Sequence, residues 1–157
     1  LGGSHFALVN QLAGGHVPRV DLDNAPQLFA KLHDAISRKT VRSCHDLSEG
    51  GLAVAAAEMA FAGGIGASLN LAELASDCGG LDDAVLLFSE SNTRFLVEVT
   101  TDCEDEFRDA LDGQPVVLVG NTQNNCRLEI RGAQDNLLVD SSLAQLKHAW
   151  QSPLDWD

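Results

Sequence analysis

Apolar residues recur at helical spacing through Leu28, Leu32, Ala35 and Ile36. Asp23-Asn24-Ala25-Pro26 reads as the start of that helix, a capping side chain followed by proline in the first turn. Arg38 and Lys39 close it with the charge its dipole favours. Val41 to Cys44 is a short strand candidate ending at His45. A helix from about Gly50 carries Leu52, Ala56, Met59 and Ala60 and stops at Gly63-Gly64. Its many alanines point to close packing against a sheet. Ile65, Ala67, Leu69 and Leu71 then alternate with Gly66, Ser68 and Asn70, the pattern of a half-buried strand.

A turn at Asp77 to Gly80 leads to a short helix over Leu81 to Phe88, then to the polar loop Ser89 to Asn92. Thr93 to Thr100 is the clearest strand, with Phe95, Val97 and Val99 on one face and Arg94, Leu96 and Glu98 on the other. Thr101 and Glu104 have capping-box spacing, and their helix shows Cys103, Phe107 and Leu111 on one face before Gly113. Val116 to Val119 and Arg127 to Ile130 read as strands joined by the polar loop Asn121 to Asn125. A short strand at Leu137 to Val139 precedes a last helix with Leu143, Leu146 and Trp150, capped by Asp140 or Ser141. Apolar residues in the tail Ser152 to Trp156 are expected to dock on the body or on a partner. The order predicts an α+β domain with a mixed, mostly antiparallel sheet packed with helices.

Composition narrows the functional classes. At 157 residues and 45% hydrophobic content the chain fits one domain with a real core. A formal charge of -13 argues against nucleic acid and against anionic membrane surfaces. No apolar stretch approaches the ~20 residues that span a bilayer. The four cysteines, Cys44, Cys78, Cys103 and Cys126, are scattered and read as free, partly buried thiols of a cytoplasmic protein rather than a zinc site. His5, His16, His33 and His148 form no ligand-spaced pair, and no metal site is expected. The chain begins Leu1-Gly2-Gly3-Ser4, without methionine, so a domain excised from a longer chain is the expectation.

Polar chemistry concentrates in His45-Asp46-Leu47-Ser48-Glu49-Gly50-Gly51, a strand-to-helix turn. Backbone N–H groups at a helix start, beside glycines that permit close approach, form a natural anion site. On that reading Ser48 and the N–H groups near Gly50 and Gly51 hold a phosphate, while His45 and Asp46 bind a sugar or amide or orient the loop. On the plainer reading Ser48 caps the helix, the glycines permit tight packing and His45 is a satisfied core histidine. Ser89-Glu90-Ser91-Asn92-Thr93-Arg94 is a second constellation, with Arg94 a phosphate or carboxylate clamp or a surface ion pair. Leu1-Gly2-Gly3-Ser4 is a weaker third, a possible backbone nest. A G-x-S-x-G elbow and a Walker-type loop are both missing from the sequence.

His-Asp-Leu-Ser-Glu-Gly-Gly-Leu-Ala-Val (45–54), Ala57-Glu58-Met59-Ala60, Gly63-Gly64-Ile65-Gly66, Leu87-Phe88-Ser89-Glu90-Ser91 and Arg94-Phe95 follow in order. Together they resemble the C-terminal domain of the aminoimidazole ribonucleotide synthetase superfamily and, within it, the phosphoribosylformylglycinamidine (FGAM) synthases of purine biosynthesis. The resemblance extends from Leu1 to about Gly120. It implies an ATP-dependent ligase in which ATP phosphorylates the formamide oxygen of formylglycinamide ribonucleotide (FGAR) and glutamine-derived ammonia displaces the phosphate. It implies ATP and Mg2+ bound mainly by N-terminal synthetase domains outside this chain, and a glutaminase partner. Residues 1–157 would be a single C-terminal synthetase-type domain. His45, Asp46, Ser48, Gly50 and Gly51 would line an interdomain cleft, and Ser89, Glu90, Ser91 and Arg94 would contact substrate or fix that wall. The alternatives are a structural or auxiliary nucleotide-site domain of the same enzyme, or another ATP-using member of the superfamily. Apolar surface left by the missing domains favours a homodimer of the fragment.

Overall fold

The helix α3 (Gly51–Gly63) organises the domain because its sequence, GLAVAAAEMAFAG, is apolar on every side. Such a helix has to be covered all round. In the computed structural model, which describes residues 1–154, its neighbours include both sheets, α5 (Asp83–Phe88) and α7 (Leu143–Gln151). Leu52, Ala55, Ala56 and Ala60 join Leu69, Leu71, Leu86, Leu87, Leu128 and Ile130 in the main core. Full burial of each large side chain here, such as Leu71, Leu128 and Ile130, contributes roughly 1.5–3 kcal/mol. Gly64, at φ 67, ends α3 by closing the cap bond to the Ala60 carbonyl.

One sheet has four strands in the order β4 (Gly120–Gln123), β2 (Gly66–Asn70), β5 (Arg127–Arg131), β6 (Leu137–Ser142). β2 pairs antiparallel with β4 and parallel with β5, and β6 closes antiparallel on β5 with Ile130 opposite Val139. The other is a two-stranded antiparallel ribbon of β1 (Val41–Asp46) and β3 (Phe95–Val99), with His45 opposite Leu96 and Asp46 opposite Phe95. A lone ribbon is marginal in water, so its faces need cover. Phe95, Val97 and Val99 pack on a second core made by α2 (Ala25–Ser37) and α6 (Glu104–Ala110), through Leu32, Ala35 and Phe107. Leu96, on the opposite face, packs on the main core. The alternation in Thr93 to Thr100 therefore separates two cores. The fold is α+β and mostly antiparallel, with the strands split between two sheets.

Several local expectations shift. The helix at Asn24 is not capped by Asn24. The carboxylate of Asp21 accepts the N–H groups of Asp23 and Asn24, at 3.0 and 3.1 Å. Thr101 and Glu104 form no capping box: Thr101–Cys103 is a 3-10 turn, and α6 starts without a side-chain cap but with Glu104, Asp105 and Glu106 at its positive end. The capping box lies at Ser142 and Gln145 instead of Asp140 or Ser141. Asp140 is held by Arg127, and β6 runs on to Ser142. The strand expected at Val116 to Val119 begins at Gly120, where a Cβ would stand 2.1 Å from the Ser68 carbonyl. The short helix α4 (Ala72–Asp77) follows directly after β2, its first N–H taken by the Asn70 side chain at 2.9 Å. Cys44, Cys78 and Cys126 are exposed rather than partly buried, and Cys103 is intermediate. Leu154 is exposed at the end of a 3-10 turn, while Asp155 and Trp156 of the expected docking tail lie outside the described residues. Among the described residues no helix is long and apolar enough to cross a membrane.

Candidate functional site

The His45–Gly51 turn joins the end of β1 to the start of α3, and two left-handed glycines shape it, Gly50 at φ 79 and Gly51 at φ 63. Residues with a Cβ disfavour that region. Space forbids one at Gly51 as well, since a Cβ there would stand 2.7 Å from the carbonyl oxygens of Leu87 and Ser89. The turn thus lies flat on the end of α5, where the second polar constellation begins. A backbone bond from Leu47 N–H to the Arg94 carbonyl, 2.9 Å, ties the two segments again.

The third segment joins them at Glu90. Its Oε1 accepts the N–H of Gly50 at 2.8 Å and the N–H of His5 at 2.9 Å, with His5 Nδ1 at 3.2 Å. Desolvation alone would raise this carboxyl; the hydrogen bonds from Gly50 and His5 outweigh it and hold the pKa below the usual glutamate range. Phe6 stacks on Phe88, ring centres 4.6 Å apart, so α1 (His5–Val9) is seated on the same loop. Ser4 is buried, caps α1 through Ala7 N–H at 3.2 Å and donates to the Leu1 carbonyl at 2.8 Å. Leu1 to Ser4, Val17, Pro18 and Glu90 line a cavity of about 190 Å³.

The remaining candidate residues divide. Ser89 and Ser91 pair through their hydroxyls at 2.8 Å, and Arg94 Nη1 donates to the Ser89 carbonyl at 3.3 Å. Burial lowers the Arg94 pKa, opposed by the nearby Cys78 thiol, yet a guanidinium keeps its charge in proteins. Among the described residues Arg94 has no carboxylate partner. Asp46 and Ser48 are exposed. His45 bridges Asp46 and Glu58: its Nδ1 lies 2.7 Å from the Asp46 carbonyl oxygen and 3.6 Å from Asp46 Oδ1, and its Nε2 lies 2.8 Å from Glu58 Oε2. Ser48 does not cap α3 with its side chain. Its carbonyl accepts the Gly51 N–H at 3.0 Å. The two glycine N–H groups expected to face a phosphate thus have partners within the chain.

Two residues with no distinguishing role in the sequence alone, His5 and Glu58, hold contacts at the site. Glu58 also accepts the Trp150 indole N–H at 2.7 Å, joining β1, α3 and α7. The helical register of Glu58 on an otherwise apolar helix was the available signal. Among the described residues no three His, Cys, Asp or Glu side chains are placed to hold a metal ion.

Residues 1–133 match the family described as AIR synthase related protein, C-terminal domain. The chain belongs to that family. Among its relatives, the phosphoribosylformylglycinamidine synthase subunit PurL of Synechocystis is 36% identical, covering 98% of this chain and 20% of the relative. PurL of Deinococcus radiodurans is 34% identical over 96% of this chain and 20% of the relative. The chain therefore spans about a fifth of the length of these curated relatives. In fold, this AIR synthase related domain superposes on phosphoribosylformylglycinamidine synthase II of Thermotoga maritima with a TM-score of 0.72 at 18% identity, covering 83% of this chain and 22% of that one. T. maritima PurL complexed with FGAR gives a TM-score of 0.71 at 18% identity, with 83% and 22% covered. The same protein complexed with ATP gives 0.66 at 18%, with 76% and 21% covered.

Proposed function

We propose that residues 1–157 are one C-terminal synthetase-type domain of a longer FGAM synthase, which converts FGAR, ATP and glutamine-derived ammonia to FGAM, ADP and phosphate. The observation that carries this reading is the convergence of three polar segments, 1–5, 45–51 and 89–94, on one side of α3, in a chain whose relatives along nearly its whole length are PurL subunits. In this reading the domain is one wall of an interdomain site. Asp46 and Ser48 face the opening with side chains exposed, and Arg94 supplies positive charge from behind the Ser89–Ser91 pair. His45 and the two glycines shape the wall.

In this reading ATP and Mg2+ belong chiefly to the rest of the enzyme. When bound, they supply the phosphoryl group that activates the formamide oxygen. This chain's residues orient the substrate and exclude water. The partners are the N-terminal synthetase domains and a glutaminase, in the cytoplasm, and the isolated fragment pairs with itself through its exposed apolar residues. A fold-completing role is favoured at the two glycine N–H groups, which Glu90 and the Ser48 carbonyl already occupy.

Turnover tests the reading. The full protein should form FGAM from FGAR, ATP, Mg2+ and ammonium, and the 157-residue chain alone should form none. Ser48→Ala and Arg94→Ala in the full protein should each raise the KM for FGAR or ATP by about tenfold, the loss of a single hydrogen bond to a charged group. Turnover by the isolated chain, or unchanged kinetics in both variants, overturns it.

A further inference from the structure

We propose that Glu90 is a positioning residue: its carboxylate staples the N-terminal loop and α1 to the glycine turn that starts α3, and does not itself contact substrate. What the stapled turn serves rests on the function proposed above; the staple itself does not.

The geometry leaves one carboxylate oxygen in contact with two backbone N–H groups and one imidazole nitrogen, from segments 40 and 85 residues away along the chain. Hydrogen bonds to an ionised carboxylate are about twice as strong as neutral ones. The Glu90 side chain is only 17% exposed, and its bond to Gly50 is part-buried, while the His5 side is open to water. An anion at a helix start is favoured by the free N–H groups there, and here the chain provides that anion from within. An external phosphate at the Gly50 N–H would have to displace Glu90 and release His5 with it. The neighbouring contacts agree in direction. Phe6 on Phe88 holds α1 to the residue two before Glu90, and the Gly51 backbone rests on the Leu87 and Ser89 carbonyls. Glu90 also lines the cavity behind Leu1 to Ser4, so its loss would unfasten the floor of that cavity.

The test pairs two readouts on the full protein carrying this domain. Hydrogen exchange read by mass spectrometry follows the segments 1–12 and 47–55, with 104–111 as an internal reference; steady-state kinetics follow KM and kcat. In Glu90→Ala, exchange in 1–12 and 47–55 should accelerate by about tenfold or more, the reference should not move, and KM should rise more than kcat falls. Glu90→Gln keeps an acceptor oxygen without the charge, and should restore part of the protection and part of the KM. Unchanged exchange in Glu90→Ala refutes the staple. Wild-type exchange in Glu90→Gln with a KM as poor as that of Glu90→Ala also refutes it, because the charge would then act on substrate directly. If the wild-type protein forms no FGAM, the functional reading falls, and the exchange data still decide the staple.

Discussion

Replacing Gly51 by alanine is the sharpest test of how the turn is built. Gly51 has φ 63, and a Cβ would stand 2.7 Å from the carbonyl oxygens of both Leu87 and Ser89. The left-handed conformation costs a residue with a Cβ ~1–2 kcal/mol, partly offset by the lower entropy of the unfolded alanine chain. The clash is with backbone, which cannot rotate away, and overpacking of this kind costs a further ~1–3 kcal/mol. The sum is ~2–4 kcal/mol, a large share of the ~5–15 kcal/mol that holds a domain folded. Gly64→Ala is the matched control, because Gly64 has φ 67 at the other end of the same helix but nothing within 4 Å of its Cβ position. It should lose only ~1 kcal/mol. Followed by far-ultraviolet circular dichroism, thermal melting should place Gly51→Ala roughly 5–15 °C below the parent and Gly64→Ala only ~2–4 °C below. Melting of the two variants within ~2 °C of each other would refute the close approach of the turn to the end of α5.

Further outcomes follow from the same contacts. Glu58→Leu should leave His45 and the Trp150 indole without their shared acceptor, cost ~1–3 kcal/mol, and shift Trp150 emission to the red as α7 loosens; an unshifted spectrum contradicts the link. Because the Glu90 carboxyl is held below its ordinary range in the folded state, its contribution is fully present above the ordinary value of about 4.3 and is lost as pH falls through the depressed value. Protection of the His5 and Gly50 amides should therefore hold at about pH 5 and fade below about pH 4 in the parent, but not in Glu90→Gln. A fading that is equal in both forms assigns the pH effect to other carboxylates. Ile130→Ala, at a fully buried position between β2 and β6, should cost ~2–5 kcal/mol in urea unfolding.

Where a segment's own pattern dictates its structure, the sequence was readable. α3, with its alanines and its Gly63-Gly64 stop, and β3, with Phe95, Val97 and Val99 on one face, fall where their periodicity puts them. Segments whose structure comes from a distant partner were not. Gly120 to Gln123 is polar and becomes a strand only because β2 offers it a ladder, while the more apolar Val116 to Val119 does not. The cap at Asp21 and the box at Ser142 lie one to three residues from where the local sequence predicts them, since several neighbouring side chains can serve and packing selects one. The split into two sheets was equally hidden, because pairing of β1 with β3 across α3 is a tertiary choice. At the site, the residue types were legible but their directions were not. His45 keeps its contact with Asp46 through Nδ1, and its Nε2 faces Glu58, whose carboxylate on an apolar helix needs a partner.

That difference changes where positive charge for an anionic ligand has to come from. A helix start is worth fractions of an elementary charge, and at α3 Glu90 brings a full negative charge to the N–H of Gly50, the residue that opens the helix. In a chain of formal charge -13, the turn cannot then be the attractive element for a phosphate. Arg94 remains as the nearby cation. It donates to the Ser89 carbonyl, and among the described residues no carboxylate pairs with it. One partly buried guanidinium cannot hold a triphosphate against that background. On the proposed function, this wall then recognises a monophosphate or uncharged groups, and the nucleotide is held by surfaces outside the chain. Titrating the isolated chain with ATP and Mg2+ should accordingly show no saturation below about 1 mM, an affinity no better than ~4 kcal/mol. Micromolar binding would mean that the turn opens, Glu90 swings out and the helix start is an anion site after all.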